Sequence, residues 1–127
     1  MSRAAVSLFV FGIYLLLLGT VLMVAPNAFL ALFGLPSTHD VWIRVVAMLV
    51  LILGCYDVMA ARAELAPFFR WSVWLRASVI VWFGMFVGLG LVQPILLLFG
   101  VVDLAAAVWT ALALRADGSR PDSVPAV

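Results

Sequence analysis

The chain has 127 residues, of which 68% are hydrophobic and 10% charged, with a formal net charge of +1. A soluble domain carries about 25% charged residues, and a mean hydropathy of +1.30 leaves too little polar surface to coat a water-soluble fold. The near-zero charge offers no field for nucleic acid or anionic substrates, and four spans of roughly 20 residues would use about 80 positions, leaving short loops and a tail.

Arg3 followed by a long apolar run has the look of a signal peptide. The run from Ala4 to Val24 is longer than an ordinary signal core, however. The best small-residue cleavage site, Ala25, precedes Pro26 and follows Met23 by two positions. A retained first span over 4–24 is expected. Pro26-Asn27 joins a helix-stop to a helix-start signal. Residues 29–36 are apolar but too short to cross, and are expected in the interface as a short helix or turn. Ser37-Thr38-His39-Asp40 is polar, and Asp40 is placed to cap the next helix.

The second span is expected over 41–61. Its lone Cys55 has no intrachain disulfide partner and reads as a small buried hydrophobe. Arg62 to Arg70 reads as a charged turn containing Pro67. A third span over 71–92 ends at Gln93-Pro94, and that tight turn makes it an antiparallel hairpin with a fourth span over 95–114. Residues 1–115 form one domain, and the Asp-, Gly-, Ser- and Pro-bearing tail, 116–127, is expected to be disordered. The fold class is an all-α membrane protein, an antiparallel four-helix transmembrane bundle with a short interfacial segment after the first helix.

All seven basic residues are Arg, and their placement sets the expected topology. Arg3 precedes the first span, Arg62 and Arg70 flank the middle loop, and Arg115 and Arg120 follow the fourth span. The first and third loops have none. Both termini and the middle loop are therefore expected in the cytoplasm, with Trp42 in the outer aromatic belt and Trp71 and Trp74 in the inner one.

Four charged residues fall inside the spans, each costing roughly 2.5–3.5 kcal/mol at a helix centre on insertion scales. Arg44 sits one turn inside the second span with Asp40 four positions earlier, the favourable order for a helical ion pair. It reads as an interfacial anchor or as a contact for a headgroup or substrate anion. Asp57 and Arg76 each lie about 9 Å to the cytoplasmic side of their span centres. They are expected to pair, either as a buried ion pair fixing register or as a site where Arg76 holds an anion that Asp57 orients. Asp103 lies near the midplane of the fourth span with no basic residue at its depth. Its expected partner is Tyr14, also near the midplane. Acids at that depth mark proton relays, cation sites or polar ligand contacts; the plainer alternative is a hydrogen bond packing the first and fourth helices.

Gly84 and Gly88, Gly12 and Gly19, and Ala107 and Ala111 are small-residue pairs suited to close helix approach, within the chain or in a dimer. Trp82, Phe83, Phe86 and Trp109 read as lipid-facing or packing aromatics, or as the lining of a hydrophobic cavity. No metalloprotease, Cys-pair, phosphate-loop or nucleophile-elbow motif occurs. His39 alone builds no metal site, and no cofactor is expected.

As a set, Pro26-Asn27, Phe33-Gly34-Leu35-Pro36, Val41-Trp42-Ile43-Arg44, Phe68-Phe69-Arg70-Trp71-Ser72 and Val102-Asp103-Leu104 give the chain a loose resemblance to small bacterial four-helix membrane proteins of the DoxX-like kind, over roughly 5–115. The resemblance implies a four-helix bundle in a bacterial inner membrane, and it transfers no activity and no catalytic residue. Three functions are compatible with these residues. The leading one is a non-enzymatic membrane protein that binds a hydrophobic small molecule, partner helices, a second copy or a larger membrane complex. The others are a small proton-coupled transporter using Asp103, and a membrane-embedded enzyme on a lipid-like substrate with Asp57, Asp103 or Tyr14 as acid–base groups.

Overall fold

A computed structural model of the chain describes residues 1–119. Among them the structure is entirely helical: α1 (Arg3–Val24), α2 (Pro26–Leu32), α3 (Trp42–Arg62), α4 (Ala66–Gly88) and α5 (Leu96–Gly118). All but α2 are long and apolar enough to cross a membrane. In lipid a helix satisfies its own backbone, which is why these runs fold this way. The chain is thus an integral membrane protein built as a helical bundle.

The start of α1 is fully satisfied. The Ser2 hydroxyl accepts from the Ala5 amide at 3.0 Å, and the Asp117 carboxylate accepts from the Arg3 and Ala4 amides at 3.2 and 3.0 Å. The Ser2 amide donates to the Glu64 carboxylate at 2.6 Å, and the Val6 amide makes the first bond within the helix, to the Ser2 carbonyl. All four orphan donors of a helix N-terminus are therefore engaged. This contact keeps α5 helical to Gly118, three residues into the expected tail; the rest of that tail, 120–127, lies outside the described residues.

Three helices end in the same reversal. Gly34, Glu64 and Gly90 take positive φ (68°, 53° and 74°), and the next residue's amide bonds back five positions, as in Leu65 to Ala60. This is the Schellman ending, usually given to glycine. Glu64 is the exception, and its side chain supplies the reason. Its carboxylate accepts from the Ser2 amide (2.6 Å) and hydroxyl (2.7 Å) and lies 4.0 Å from the N-terminal ammonium. It ties the α3–α4 turn to the start of α1.

Several boundaries and contacts differ from expectation. The turn after α3 is only residues 63–65, and α4 begins at Ala66 rather than 71. Pro67 stands in the first turn of α4, where its missing N–H costs nothing and its fixed φ favours the helix, so it opens the helix instead of marking a loop. Asp40 does not cap α3: its amide bonds the Thr38 hydroxyl, and Val41 is the cap residue, with no side-chain bond. Asp40 and Arg44 form no ion pair; the Arg44 Nε donates to the Met23 carbonyl at 3.3 Å, tying α3 to α1. Cys55 is exposed on the outer face of α3 rather than buried. Trp42, Trp71 and Trp74 are exposed.

The packing order is not the chain order. α3 lies along α1, α1 on α5 and α5 on α4, while α3 and α4 scarcely touch although only three residues join them. Glycines set the closest crossings. A side chain on Gly12 or Gly54 would stand 3.1 Å from the other's carbonyl oxygen, so α1 and α3 meet there backbone to backbone. Gly19 abuts Leu51 and Gly100 abuts Ile80 in the same way. Gly84 and Gly88 have open space within 4 Å of where a side chain would begin. The buried core, built from Ala4, Ala5, Leu8, Ala60, Ala61, Phe69 and Ala113, joins the start of α1 and α4 to the end of α3 and α5. Small residues draw the helices tightly together at this closed end.

Candidate functional site

Above the closed end the helices enclose a cavity of about 690 Å³, within the range that holds a drug-sized ligand. Its walls are almost wholly apolar. The lower part carries Tyr14, Asp57, Ser72, Arg76 and Asp103, and the roof carries Phe29, Leu35, Leu96 and Phe99. Phe29, Phe33 and Phe99 stack with centroids 5.0–5.8 Å apart, so α2 closes the end far from the alanine core. Leu53, Tyr56, Leu75 and Trp82 line the cavity and are also 54–68% exposed. They stand on α3 and α4, so the cavity opens sideways through the gap between those two helices.

Arg76 anchors the floor. A long side chain on a helix leans toward its N-terminus, which brings this guanidinium back to Ser72, one turn earlier. Nε donates to the Ser72 carbonyl (3.3 Å), and Nη2 to the Ser72 hydroxyl (3.2 Å) and to Thr110 Oγ1 on α5 (2.8 Å). Its Cζ lies 4.8 Å from the centre of the Phe11 ring, a cation–π distance. Arg76 is only 7% exposed, and Nη1 is buried with no hydrogen-bond partner.

The hydroxyls around Arg76 have a determined direction. Ser7 donates its one proton to the Ala4 carbonyl at 2.7 Å. The 2.8 Å contact between Ser7 and Thr110 therefore has Thr110 as donor. Donation runs from Arg76 to Thr110, Ser7 and the Ala4 carbonyl. A second branch runs from Arg76 through Ser72 to the Phe69 carbonyl (2.8 Å). Both branches end on backbone oxygen.

The sequence expectations about the acids meet this geometry unevenly. Asp57 and Arg76 share the cavity wall but form no ion pair within 4.0 Å. Because α4 starts at Ala66, Arg76 stands ten residues into its helix, about 15 Å, whereas Asp57 is five residues from the end of α3, about 7.5 Å. The Arg76 side chain leans back to Ser72, about 9 Å into α4, which returns the guanidinium close to the depth of Asp57, and Ser72 and Thr110 hold it away from α3. Asp57 is 8% exposed and packs its Cβ beside Gly12. Asp103 and Tyr14 are half-buried and line the same cavity, but no hydrogen bond joins them. A smaller cleft of about 250 Å³, lined by Tyr14, Val102, Ala106 and Trp109 among others, keeps α1 and α5 apart at this level. Tyr14 instead packs against Phe11 at 5.7 Å. Arg76 and both carboxylates line the one cavity.

Of the aromatics, Trp82, Phe83 and Phe86 line the main cavity, while Trp109 borders only the smaller cleft. Sequence reasoning passed over Ser7, Ser72 and Thr110. A signal was present: Ser72 precedes Arg76 by one helical turn, and Ser7 and Thr110 both lie near the Arg3 and Arg115 ends of their expected spans. Among the described residues no group of three His, Cys, Asp or Glu side chains is placed to hold a metal.

No protein-family model, curated protein or solved structure matches the chain.

Proposed function

We propose that this integral membrane protein binds one hydrophobic molecule, without chemistry, in the cavity between α3 and α4, taking it directly from the bilayer. The observation that carries this reading is an apolar cavity of about 690 Å³ whose mouth residues Leu53, Tyr56, Leu75 and Trp82 are themselves exposed on the long apolar helices α3 and α4. A bundle made only to scaffold other proteins has no use for such a void, since an empty apolar cavity costs stability. The distribution of Arg supports both termini and the α3–α4 turn in the cytoplasm, and the likeness to DoxX-like proteins suggests a bacterial inner membrane. A second copy of the chain, or a larger membrane complex, has a free face at Gly84 and Gly88 on α4.

The test uses a neutral fatty alcohol carrying a diazirine, with the full chain in lipid nanodiscs. Irradiation is expected to label α3 and α4 at cavity residues such as Leu53 and Trp82. Val50→Trp with Val79→Trp fills the cavity and is expected to abolish that labelling. Label confined to outward residues such as Val21 and Val108, unchanged by the filling variant, would overturn the proposal.

A further inference from the structure

The charges lining the cavity do not balance. Asp57 on α3 and Asp103 on α5 face one guanidinium, Arg76 on α4, and α1 contributes only the phenol of Tyr14; Tyr56 on α3 is the other titratable lining group. Neither acid has a hydrogen bond or ion pair among the described residues, although Asp57 is nine-tenths buried. Arg76 offsets one negative charge, and the hydroxyls that hold it are neutral. The other basic residues are absent from the lining. In a low-dielectric enclosure the surplus negative charge must be met by a proton or by a cation.

We infer that the cavity takes a lipophilic monocation, its charge held between Asp57 and Asp103 and its body in the apolar space above, in exchange for one proton. This rests on the proposed binding of a hydrophobic molecule and names its class. An anion at Arg76 would set three negative charges against one positive and leave both acids unpaired. A neutral molecule would leave the surplus charge to a proton. A monocation makes the site neutral with both carboxylates ionised. The aromatic rings of Tyr14, Trp82, Phe83 and Phe86 add faces that attract positive charge, while Phe11 already serves Arg76. The exchange is balanced: the cation enters, one carboxyl releases its proton to the medium, and no covalent bond changes.

The probe is tetraphenylphosphonium, added to the full chain in nanodiscs and in detergent. Three results are expected. The cation displaces the neutral photolabel from Leu53 and Trp82. Calorimetry in buffers of different ionisation enthalpy, run over a pH series, shows protons released on cation binding, rising to about one per cation as pH is lowered, with affinity falling in step. Asp57→Asn and Asp103→Asn each weaken binding by about tenfold or more, a loss of about 1.4 kcal/mol. The proton count and the pH series use the unmodified chain, so they decide the question even if a variant does not fold. Photolabelling of the cavity by the alcohol with no cation binding would overturn this inference and leave the hydrophobic-binding proposal standing. Failure of both probes would overturn both. Cation binding with no proton release and no dependence on either acid would also overturn it, as would binding of palmitate that requires Arg76.

Discussion

Thr110→Val tests the polar floor most directly. Valine keeps the shape of threonine and removes the hydroxyl that Arg76 meets at 2.8 Å. Thr110 is 0% exposed, so no water replaces it. A hydrogen bond to a charged group contributes about 1.5–3 kcal/mol in soluble proteins. Side-chain bonds within membranes average about 0.6 and reach about 1.7 kcal/mol, because the membrane-inserted unfolded state also finds partners. Arg76 carries a full charge and already has Nη1 unpartnered, so the upper part of the membrane range applies, and the loss should be about 1.5 kcal/mol. Ser7 keeps its own donation to Ala4 and loses only an accepted bond, which adds little. Equilibrium unfolding in mixed dodecylmaltoside–SDS micelles reads the difference. A double-mutant cycle with Arg76→Met separates the bond from the local effect of the methyl group. With the guanidinium gone in the Arg76→Met background, Thr110→Val should be close to neutral. An equal cost in both backgrounds, within about 0.3 kcal/mol, would refute the assignment of Thr110 as the acceptor for Arg76.

The remaining expectations concern packing and the turn. Gly12→Ala places a methyl 2.9 Å from Val58 Cγ2 and 3.1 Å from the Gly54 carbonyl oxygen, and should cost about 1–3 kcal/mol in the same unfolding assay; Gly84→Ala, which meets nothing within 4 Å, should be neutral or slightly stabilising. Glu64→Ala keeps the strained φ of 53° and loses the carboxylate that holds Ser2, whereas Glu64→Gly loses only the carboxylate. Glycine should therefore be the more stable of the two by about 1 kcal/mol, and a more stable alanine variant would contradict the αL assignment. Asp117→Ala frees two amides of α1 and should speed hydrogen exchange at Arg3 and Ala4, with the centre of α1 unchanged. With Cys55 replaced by Ala, a membrane-impermeant maleimide applied to intact cells should modify His39→Cys and spare Arg62→Cys; the reverse pattern would invert the topology.

The four membrane helices were legible because each is a long apolar run that must close its own hydrogen bonds in lipid, and length alone separates them from α2. The start of α4 was misplaced by five residues because Pro67 and Arg70 carry loop-like signals, while proline in a first turn is helix-compatible. That error shifts the depth assigned to the Arg76 backbone, whereas the missing bond to Asp57 follows from the Ser72 and Thr110 hydroxyls that already hold the guanidinium. Depth arithmetic needs helix ends, and those are the least certain feature of a hydropathy pattern. Asp103, Asp57 and Arg76 were singled out from their cost in the membrane and Tyr14 as the expected partner of Asp103, and all four line one cavity. What joins them is open space, which a sequence does not encode locally. Which helices pack also escaped the linear order: α3 and α4 are neighbours in the chain, but Gly12 against Gly54 draws α3 to α1 instead. Cys55 was expected inside because free cysteines favour interiors, yet in a bilayer the apolar outer surface is an equally suitable place for it.

The directed donation beneath Arg76 makes the cavity floor an insulator. A hydroxyl relay moves charge only when each member can accept a proton from behind and release its own ahead. Here the Ser7, Ser72 and Thr110 protons are already committed toward the closed end, and the group at the head of both branches is a guanidinium, which does not release protons near neutrality. Protons serving Asp57 and Asp103 therefore do not pass through this floor. A leak to the far side would require the alanine seam itself to part.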